Sequence, residues 1–155
     1  MIEKAVFGAG CFWSVEESFY EMTGVYSTQA GYAGGTLENP SYENLGSGTS
    51  GHIEVVEVIF DPDIVSYHEL LDKFFAIHDP SDDYRWDTLA LRQYQSVIFV
   101  SDQEQYKAAQ SKIEKLQIFS RPISTIILPS TIFYPAEERH QHYVQKRKQL
   151  YEGRA

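Results

Sequence analysis

The sequence predicts an α+β fold in which helices pack against a mostly antiparallel sheet. Strand-like and helix-like segments are mixed along the chain without strict alternation, and no internal repeat or linker divides it. The segment HIEVVEVIFDP (52–62) alternates as a half-buried strand does, with Glu54 and Val56 on one face and Ile53 on the other. Because 155 residues with 43% hydrophobic content suffice for one core, we expect a single domain over residues 1–155.

The N-terminal segment predicts a strand followed by a helix. Residues 4–7 (KAVF) form a short apolar run that ends in glycines. Val15, Phe19 and Met22 then recur at helical spacing, so a helix is expected after the glycine turn. The only cysteine, Cys11, therefore lies at a strand-to-helix turn, at or near the N-terminus of the helix.

Capping patterns mark the start of two further helices. Ser66 and Glu69 stand at capping-box spacing before one helix, and Ser101 and Glu104 repeat the spacing before the next. The remaining predicted segments are strands within 25–35, 95–100 and 124–134, a polar loop over 36–51, an irregular connection over 79–94 and a final helix over 136–152.

Composition and charge exclude several classes of function. The formal net charge of −9 disfavours nucleic acid and anionic membranes as partners. The chain has neither an apolar run of about 18 residues, which a transmembrane helix needs, nor the apolar stretch of a signal peptide. One cysteine cannot form an internal disulfide, so we expect a cytoplasmic, reducing compartment. Neither a phosphate-binding loop nor a dinucleotide fingerprint is present, and we expect no cofactor.

Cys11 has two interpretations. A free cysteine often behaves as a small buried hydrophobe. At a helix N-terminus, however, unpaired N–H groups and the helix dipole lower the pKa of a thiol and favour a nucleophilic thiolate. Gly10 allows a tight turn and leaves the thiol open to approach. The position alone does not decide between the two.

Two interpretations are also possible for Glu54 and for each of two tyrosines. Glu54 lies either on the polar face of a half-exposed strand or in an apolar pocket, where desolvation would raise its pKa and make it a proton donor. Glu57 competes for that role, but period-2 alternation places it on the opposite face. Tyr42, in a polar loop, and Tyr94, just before a strand, are either exposed rings or hydroxyl donors into a site.

The histidines give no specific site. His140 and His142 are two residues apart, whereas helical zinc patterns use a spacing of four, so we expect no metal. A thiol hydrolase, in which Cys11 pairs with His52, His78 or His140, is a further but unspecific interpretation.

Six segments together resemble the A-type peptide methionine sulfoxide reductases, in the order in which that family has them. They are GCFWS, which resembles the GCFWG signature, and then GVYSTQAGYAGG, NPSYENLGSGTSGHIEVVEVIFDP, HDP, QYQSVIF and FYPAEERHQHY. The resemblance covers about residues 4–151. It implies a two-layer α+β sandwich around a ferredoxin-like split βαβ core with a mixed, mostly antiparallel sheet.

The resemblance implies a catalytic role for four residues. Cys11 matches the cysteine that attacks the sulfoxide sulfur and becomes a sulfenic acid. Glu54 matches the glutamate that donates a proton to the sulfoxide oxygen, and Tyr42 and Tyr94 match the tyrosines that hydrogen-bond to it. We therefore expect an oxidoreductase, a peptide-methionine (S)-S-oxide reductase.

The resemblance also implies how substrate and reductant are used. Phe12 and Trp13 match the apolar slot for the S-methyl group of methionine-S-sulfoxide, free or in proteins. Many family members carry recycling cysteines near the C-terminus, and this chain has none. We therefore expect an external thiol reductant, namely thioredoxin, glutaredoxin or glutathione.

The chain departs from the family pattern just before Tyr94. The family pattern there is D-x-G-x-Q-Y, whereas this chain has Leu89 at the aspartate position and Leu91 at the glycine position. Asp87 is two residues away, and Ser14 replaces the last glycine of the signature. These departures motivate an alternative: a degenerate member that binds a sulfoxide or a protein with little turnover.

Overall fold

The computed structural model describes residues 1–45, 50–81, 89–119 and 122–152. The strands are β1 (Glu3–Ala9), β2 (Val25–Ala33), β3 (Ile53–Phe60), β4 (Ser96–Val100), β5 (Ile126–Pro129) and β6 (Tyr134–Pro135). The α-helices are α1 (Phe12–Tyr20), α2 (Tyr42–Leu45), α3 (Tyr67–Ala76), α4 (Gln103–Phe119) and α5 (Tyr143–Glu152). Two 3₁₀ helices span Leu89–Tyr94 and Glu138–His140.

The sheet has the order β5-β4-β1-β3-β2-β6. All pairings are antiparallel except that between β4 and β5, which is parallel. The segment β1-α1-β2-β3-α3-β4 therefore forms a ferredoxin-like unit, with its strands in the spatial order β4-β1-β3-β2. The expected α+β fold with a mixed, mostly antiparallel sheet is confirmed.

The helices cover one face of the sheet, and a large aromatic core forms there. Phe7 of β1 stacks on Phe19 of α1 at 5.1 Å and on Phe74 of α3 at 5.3 Å between ring centroids. A smaller cluster on the opposite face includes Ile53 and Val55, with Phe133 packed against it. Both faces of β3 are thus buried, which leaves its carboxylate Glu54 on the helix-covered side together with Val56.

Only one of the two predicted capping boxes forms. At α3, Ser66 Oγ accepts the Glu69 N–H at 3.1 Å, while Glu69 Oε1 accepts the Ser66 N–H. At α4 the predicted cap at Ser101 is wrong. There Asp102 Oδ1 accepts the Gln105 N–H at 2.8 Å, because the helix begins two residues after Ser101.

The C-terminal part of the chain is less regular than predicted. The helix expected over 136–152 begins only at Tyr143, because His142 has a positive φ of 50° that a right-handed helix cannot contain. The polar loop expected over 36–51 contains the short helix α2. The segment 124–134 yields two strands at opposite edges of the sheet, β5 and β6.

None of the helices in the described part of the chain is both long and apolar enough to cross a bilayer.

The capping box at α3 predicts a measurable contribution to stability. Replacing Ser66 with alanine leaves the Glu69 N–H without its acceptor and should lower the free energy of unfolding by about 1 kcal/mol. Urea denaturation measures the change. Ser101→Ala is the matched control, since Ser101 caps no helix N–H, and it should change stability by well under half of that. Equal losses in the two variants would contradict the capping geometry.

Candidate active site

Cys11 lies where β1 turns into α1. Gly10 has a φ of 101°, which a residue with a side chain rarely adopts, and this sharp turn places Cys11 at the N-cap of the helix. The residue is exposed, so the interpretation as a buried hydrophobe is wrong. The N-terminal position on the helix, expected from the glycine turn, is confirmed.

The pKa of the Cys11 thiol is raised, contrary to the expectation from its helix position. Although the residue as a whole is exposed, desolvation of its sulfur has the largest effect, and the nearby Glu54 carboxylate adds to it. The backbone N–H groups of Trp13 and Ser14 lower the pKa, as a helix N-terminus should, but they do not outweigh the other two effects. In the unliganded protein the thiol is therefore protonated at neutral pH.

Glu54 lies in a pocket and not on an exposed face. Its side chain is 1% exposed. Oε1 accepts the backbone N–H of Phe12 at 3.1 Å, and Oε2 accepts Nε2–H of Gln93 at 2.9 Å. Desolvation raises the pKa of the carboxyl to about 7, although the two hydrogen bonds to its ionised form oppose the rise. At neutral pH a large fraction of Glu54 thus carries a proton.

Tyr42 and Tyr94 face the same pocket. Their hydroxyl groups share a hydrogen bond. Desolvation and then the Glu54 carboxylate raise the pKa of both phenols, that of Tyr42 to about 12, and the charge of Cys11 contributes at both rings. The structure therefore brings together the thiol, the carboxyl and the two hydroxyl groups that the sequence analysis singled out.

Aromatic side chains form a wall beside this cluster. Phe12 is buried against Tyr42 and His140, at 6.2 and 5.5 Å between ring centroids. Trp13 stacks on Tyr143 at 4.0 Å and donates its Nε1–H to His140 Nδ1 at 3.0 Å. The rings line a cleft of about 650 Å³ whose rim carries charged residues; its lining is Trp13, Tyr42, Glu43, Arg139, His140 and Tyr143.

The C-terminal segment that supplies this wall is tied to the sheet and to α1. Gln141 accepts the Ala30 N–H at 2.8 Å and donates to the Ala30 carbonyl at 2.8 Å, so its amide acts as one more pairing partner of β2. Buried Glu16 of α1 accepts the His142 N–H at 2.8 Å. These bonds fix residues 140–143 over the helix that carries Cys11.

Glu137 holds Tyr42 from the opposite side. Its Oε1 accepts the Tyr32 hydroxyl at 2.8 Å, and its Oε2 accepts the Tyr42 backbone N–H at 3.1 Å. Partial burial raises the pKa of Glu137, but hydrogen bonds from its own backbone N–H, from the Tyr42 N–H and from the Tyr32 hydroxyl keep it below the usual range. An ionised Glu137 therefore anchors α2.

Several of these residues were not found by sequence reasoning. Gln93, Glu137, His140 and Tyr143 each contact a predicted site residue, yet sequence reasoning gave none of them a role in this site. His140 was considered only as a zinc ligand or a hydrolase base. The signal that could have found three of them is the segment AEERHQHY, whose polar and aromatic residues are dense for a solvated helix.

The hydrogen bonds of two of the three candidate histidines, His52 and His78, argue against their acting as the base of a thiol hydrolase. His52 accepts the Gly35 N–H through Nδ1 and pairs with the Leu37 carbonyl through Nε2. Both ring nitrogens of His78 are engaged as well, with the Phe74 carbonyl and the Ser96 hydroxyl. His140 accepts from Trp13.

The structure describes only some of the positions at which the chain departs from the family pattern. The backbone from Leu89 to Tyr94 forms a 3₁₀ helix, which carries Gln93 and Tyr94 into the pocket. Asp87 lies outside the described residues, and the side chains of Leu89 and Leu91 are not described either. Ser14 is exposed and donates its hydroxyl to the Cys11 carbonyl at 3.3 Å.

The raised pKa of Glu54 predicts a pH-dependent loss of stability. Between its ordinary pKa of 4.5 and about 7, the unfolded chain loses the proton while the folded protein keeps it, so stability falls as pH rises. Glu54→Gln removes this effect. The difference in free energy of unfolding, Glu54→Gln minus the unmodified protein, should therefore increase from pH 4.5 to 7 by at most about 3 kcal/mol. Above pH 7 this difference should stay constant.

Urea denaturation at pH 4 to 8.5 measures this difference. Glu57→Gln is the control, because Glu57 lies on the opposite face of β3, is partly exposed and pairs with Lys4 at 3.9 Å. If the free energy of unfolding of Glu54→Gln differs from that of the unmodified protein by the same amount at every pH, Glu54 is not a buried carboxyl that keeps its proton.

Comparison with known proteins identifies the family. A family model described as "Peptide methionine sulfoxide reductase" matches residues 3–154. Peptide methionine sulfoxide reductase MsrA from Methanothermobacter thermautotrophicus is 51% identical over 147 residues, which are 93% of this chain and 87% of the relative. The protein of the same description from Geobacter sulfurreducens is 50% identical over 149 residues, covering 94% and 92% of the two chains.

Solved structures agree with the sequence comparisons. Reduced Mxr1 from Saccharomyces cerevisiae superposes with a TM-score of 0.84 at 30% identity, over 96% of this chain and 87% of that one. Methionine sulfoxide reductase A of Corynebacterium diphtheriae superposes with a TM-score of 0.80 at 34% identity, over 95% and 76%. With its fold, its sequence and nearly its whole length matching, the chain belongs to the peptide methionine sulfoxide reductase family.

Proposed function

We propose that the chain reduces methionine-S-sulfoxide, free or in proteins, to methionine, with Cys11 as the nucleophile and Glu54 as the acid. The observation that carries the proposal is the hydrogen bond from the Phe12 N–H to Glu54 Oε1 at 3.1 Å. Phe12 directly follows Cys11, so this bond holds a proton-bearing carboxyl beside the only thiol.

The reaction transfers one oxygen atom. The Cys11 sulfur attacks the sulfoxide sulfur while Glu54 gives a proton to the sulfoxide oxygen, which makes that sulfur a better electrophile. The attack forms an S–S bond. That bond and the S–O bond of the substrate then break as the oxygen passes to Cys11, where a new S–O bond forms. Two electrons pass from the Cys11 sulfur to the substrate sulfur, so the products are methionine and a cysteine sulfenic acid.

The thiol and the acid act as a coupled pair. An ionised Glu54 raises the pKa of Cys11, so protonation of Glu54 removes one of the effects that disfavour the thiolate. A proton that leaves the thiol for Glu54 creates both reactive forms at once, the thiolate and the acid. The hydroxyl groups of Tyr42 and Tyr94 donate hydrogen bonds to the oxygen on which negative charge develops.

The aromatic wall selects the substrate. We assign Phe12 and Trp13 to the slot for the S-methyl group, since Phe12 is buried and Trp13 is fixed by Tyr143 and by its hydrogen bond to His140. Rings held in this way also exclude water from the reacting sulfur. The open cleft that continues past Trp13 leaves room for the rest of a peptide.

Regeneration of Cys11 needs an external thiol. The 155 residues contain one cysteine, so no intramolecular disulfide can form from the sulfenic acid within them. The exposed position of Cys11 at the helix N-terminus lets a thiol such as glutathione, glutaredoxin or thioredoxin reach it. A structure of Mxr1 from Saccharomyces cerevisiae has been solved in complex with Trx2. The dependence on a thiol supply favours a cytoplasmic location for this single domain of residues 1–155.

The alternative, a binding protein with little turnover, rests on the altered segment before Tyr94. The complete set of thiol, acid and hydroxyl groups supports turnover instead. An assay with methionine sulfoxide and excess dithiothreitol separates the two, because only the enzyme releases methionine repeatedly. If no methionine forms, Leu89→Asp tests whether the altered segment is the reason.

The single cysteine predicts a fixed stoichiometry. Without reductant, one methionine should form per Cys11, and mass spectrometry should find one added oxygen atom on the protein or a dimedone adduct. Cys11→Ser should form none, because no other thiol is present. Repeated turnover without reductant, or methionine release with Cys11 still reduced, would contradict the thiol mechanism.

The acid role of Glu54 predicts a large kinetic effect. Glu54→Gln keeps the size of the side chain but removes the proton, and single-turnover reduction should slow by about 10²–10⁴-fold at neutral pH. Rapid-quench measurement of methionine gives the rate. Glu57→Gln, on the opposite face of β3, should keep the rate of the unmodified protein. An unchanged rate in Glu54→Gln would remove the acid assignment.

The geometry also predicts selectivity between sulfoxide epimers. When the methyl group is fixed in the slot and the sulfur faces Cys11, only one hand of the sulfoxide directs its oxygen at Glu54. We expect reduction of the S epimer alone, an expectation that derives from family membership. Equal rates on the two separated epimers, followed by chromatography of methionine, would rule this out.

A further inference from the structure

Gln93 is bound at one end of its amide only. The side chain is 5% exposed, and its Nε2–H donates to Glu54 Oε2 at 2.9 Å. Its Oε1 is buried and has no hydrogen-bond partner among the residues that the structure describes. A buried amide oxygen without a donor is costly, so its presence beside a titrating carboxyl needs a physical explanation.

The hydrogen bonds determine which oxygen of Glu54 takes the proton. Oε1 accepts the backbone N–H of Phe12, a donor that cannot become an acceptor. The proton therefore goes to Oε2, the oxygen that faces Gln93. Once Oε2 is protonated, its O–H points at the Nε2–H of Gln93, and two donors oppose each other.

Rotation of the Gln93 amide removes this conflict. Half a turn about its last torsion exchanges Nε2 with Oε1, and this torsion is soft in glutamine side chains. Oε1 has no partner among the described residues that the turn would remove. The Tyr94 hydroxyl, which is hydrogen-bonded to the Gln93 side chain, can accept from an amide N–H before the turn and donate to the amide oxygen after it. After the turn, Oε1 accepts the Glu54 O–H.

We propose that Gln93 is a positioning residue that turns its amide with each change in the protonation of Glu54, donating to the carboxylate and accepting from the acid. This proposal rests on the proposed role of Glu54. It gives Glu54 a partner before and after proton transfer: Gln93 holds the acidic proton until the sulfoxide binds and stabilises the carboxylate that remains.

Glu54 is the group whose charge changes near neutral pH in this pocket. The other titratable groups facing it in the described structure are the thiol of Cys11 on α1 and the phenols of Tyr32 on β2, Tyr42 on α2 and Tyr94 on the 3₁₀ helix. Desolvation raises the pKa of all four, so they are neutral at pH 7. A response of Gln93 near that pH therefore reports on Glu54.

Nuclear magnetic resonance tests the rotation without any turnover. The Nε2 hydrogens of Gln93, assigned by their loss in Gln93→Met, are followed from pH 5.5 to 8.5. We expect the hydrogen bonded to the carboxylate to move upfield as pH falls, with a midpoint near 7 that coincides with the titration of the Glu54 side-chain carbon. In Glu54→Gln this transition should vanish. A bonded Nε2 hydrogen that keeps its shift down to pH 5.5 would overturn the proposal.

Kinetics provide an independent test with a matched control. Gln93→Met keeps the volume but removes donor and acceptor, and should slow single-turnover reduction about ten- to hundredfold on both sides of pH 7. Gln95→Met makes the same change at an equally buried glutamine two residues away, and should keep the rate. Equal losses in both variants, or a loss in Gln93→Met only above pH 7, would overturn the proposal. A normal rate in Glu54→Gln would instead refute the acid role, and the amide signals would still report the rotation separately.

Discussion

The hydrogen bond between the Phe12 N–H and Glu54 Oε1 is the constraint on which the site depends. It uses one of the unpaired N–H groups that every helix has at its start, and it satisfies one oxygen of a carboxyl that is almost fully buried. One bond thus fixes the start of α1 against β3 and removes part of the cost of burying Glu54. The oxygen that can take a proton is then Oε2, the one bonded to Gln93. Because Phe12 directly follows Cys11, the bond from Phe12 also fixes how far the thiol lies from the carboxyl of Glu54.

Much of this arrangement could be predicted because it depends on local patterns. Alternation along 52–62 predicted which face of β3 carries Glu54, and the glycine turn predicted the helix position of Cys11. The mixture of strand-like and helix-like segments predicted the α+β class. The ferredoxin-like core and the grouping of thiol, acid and tyrosines in one site came from the resemblance, since no local pattern brings residues 11, 42, 54 and 94 together. The roles of these residues remain proposals that the variants above test.

What could not be predicted depends on competition between long-range effects. The thiol pKa is one case: the helix N-terminus lowers it, but desolvation and Glu54 outweigh the helix. The final helix is another, since its periodicity extends over residues that the structure places in a 3₁₀ turn and a left-handed residue, His142. Gln141 and Glu16 compensate for that irregular backbone with buried hydrogen bonds, which no spacing rule reveals.

The hydrogen bond from Trp13 to His140 joins residues 127 positions apart in the chain. During synthesis Cys11 and Trp13 therefore leave the ribosome well before His140 and the residues around it, which complete their surroundings. A nascent or truncated chain that has folded its sheet exposes a thiol with no aromatic wall beside it. Closing a loop of this length costs conformational entropy, so a contact so distant in sequence is typical of the slower steps of folding.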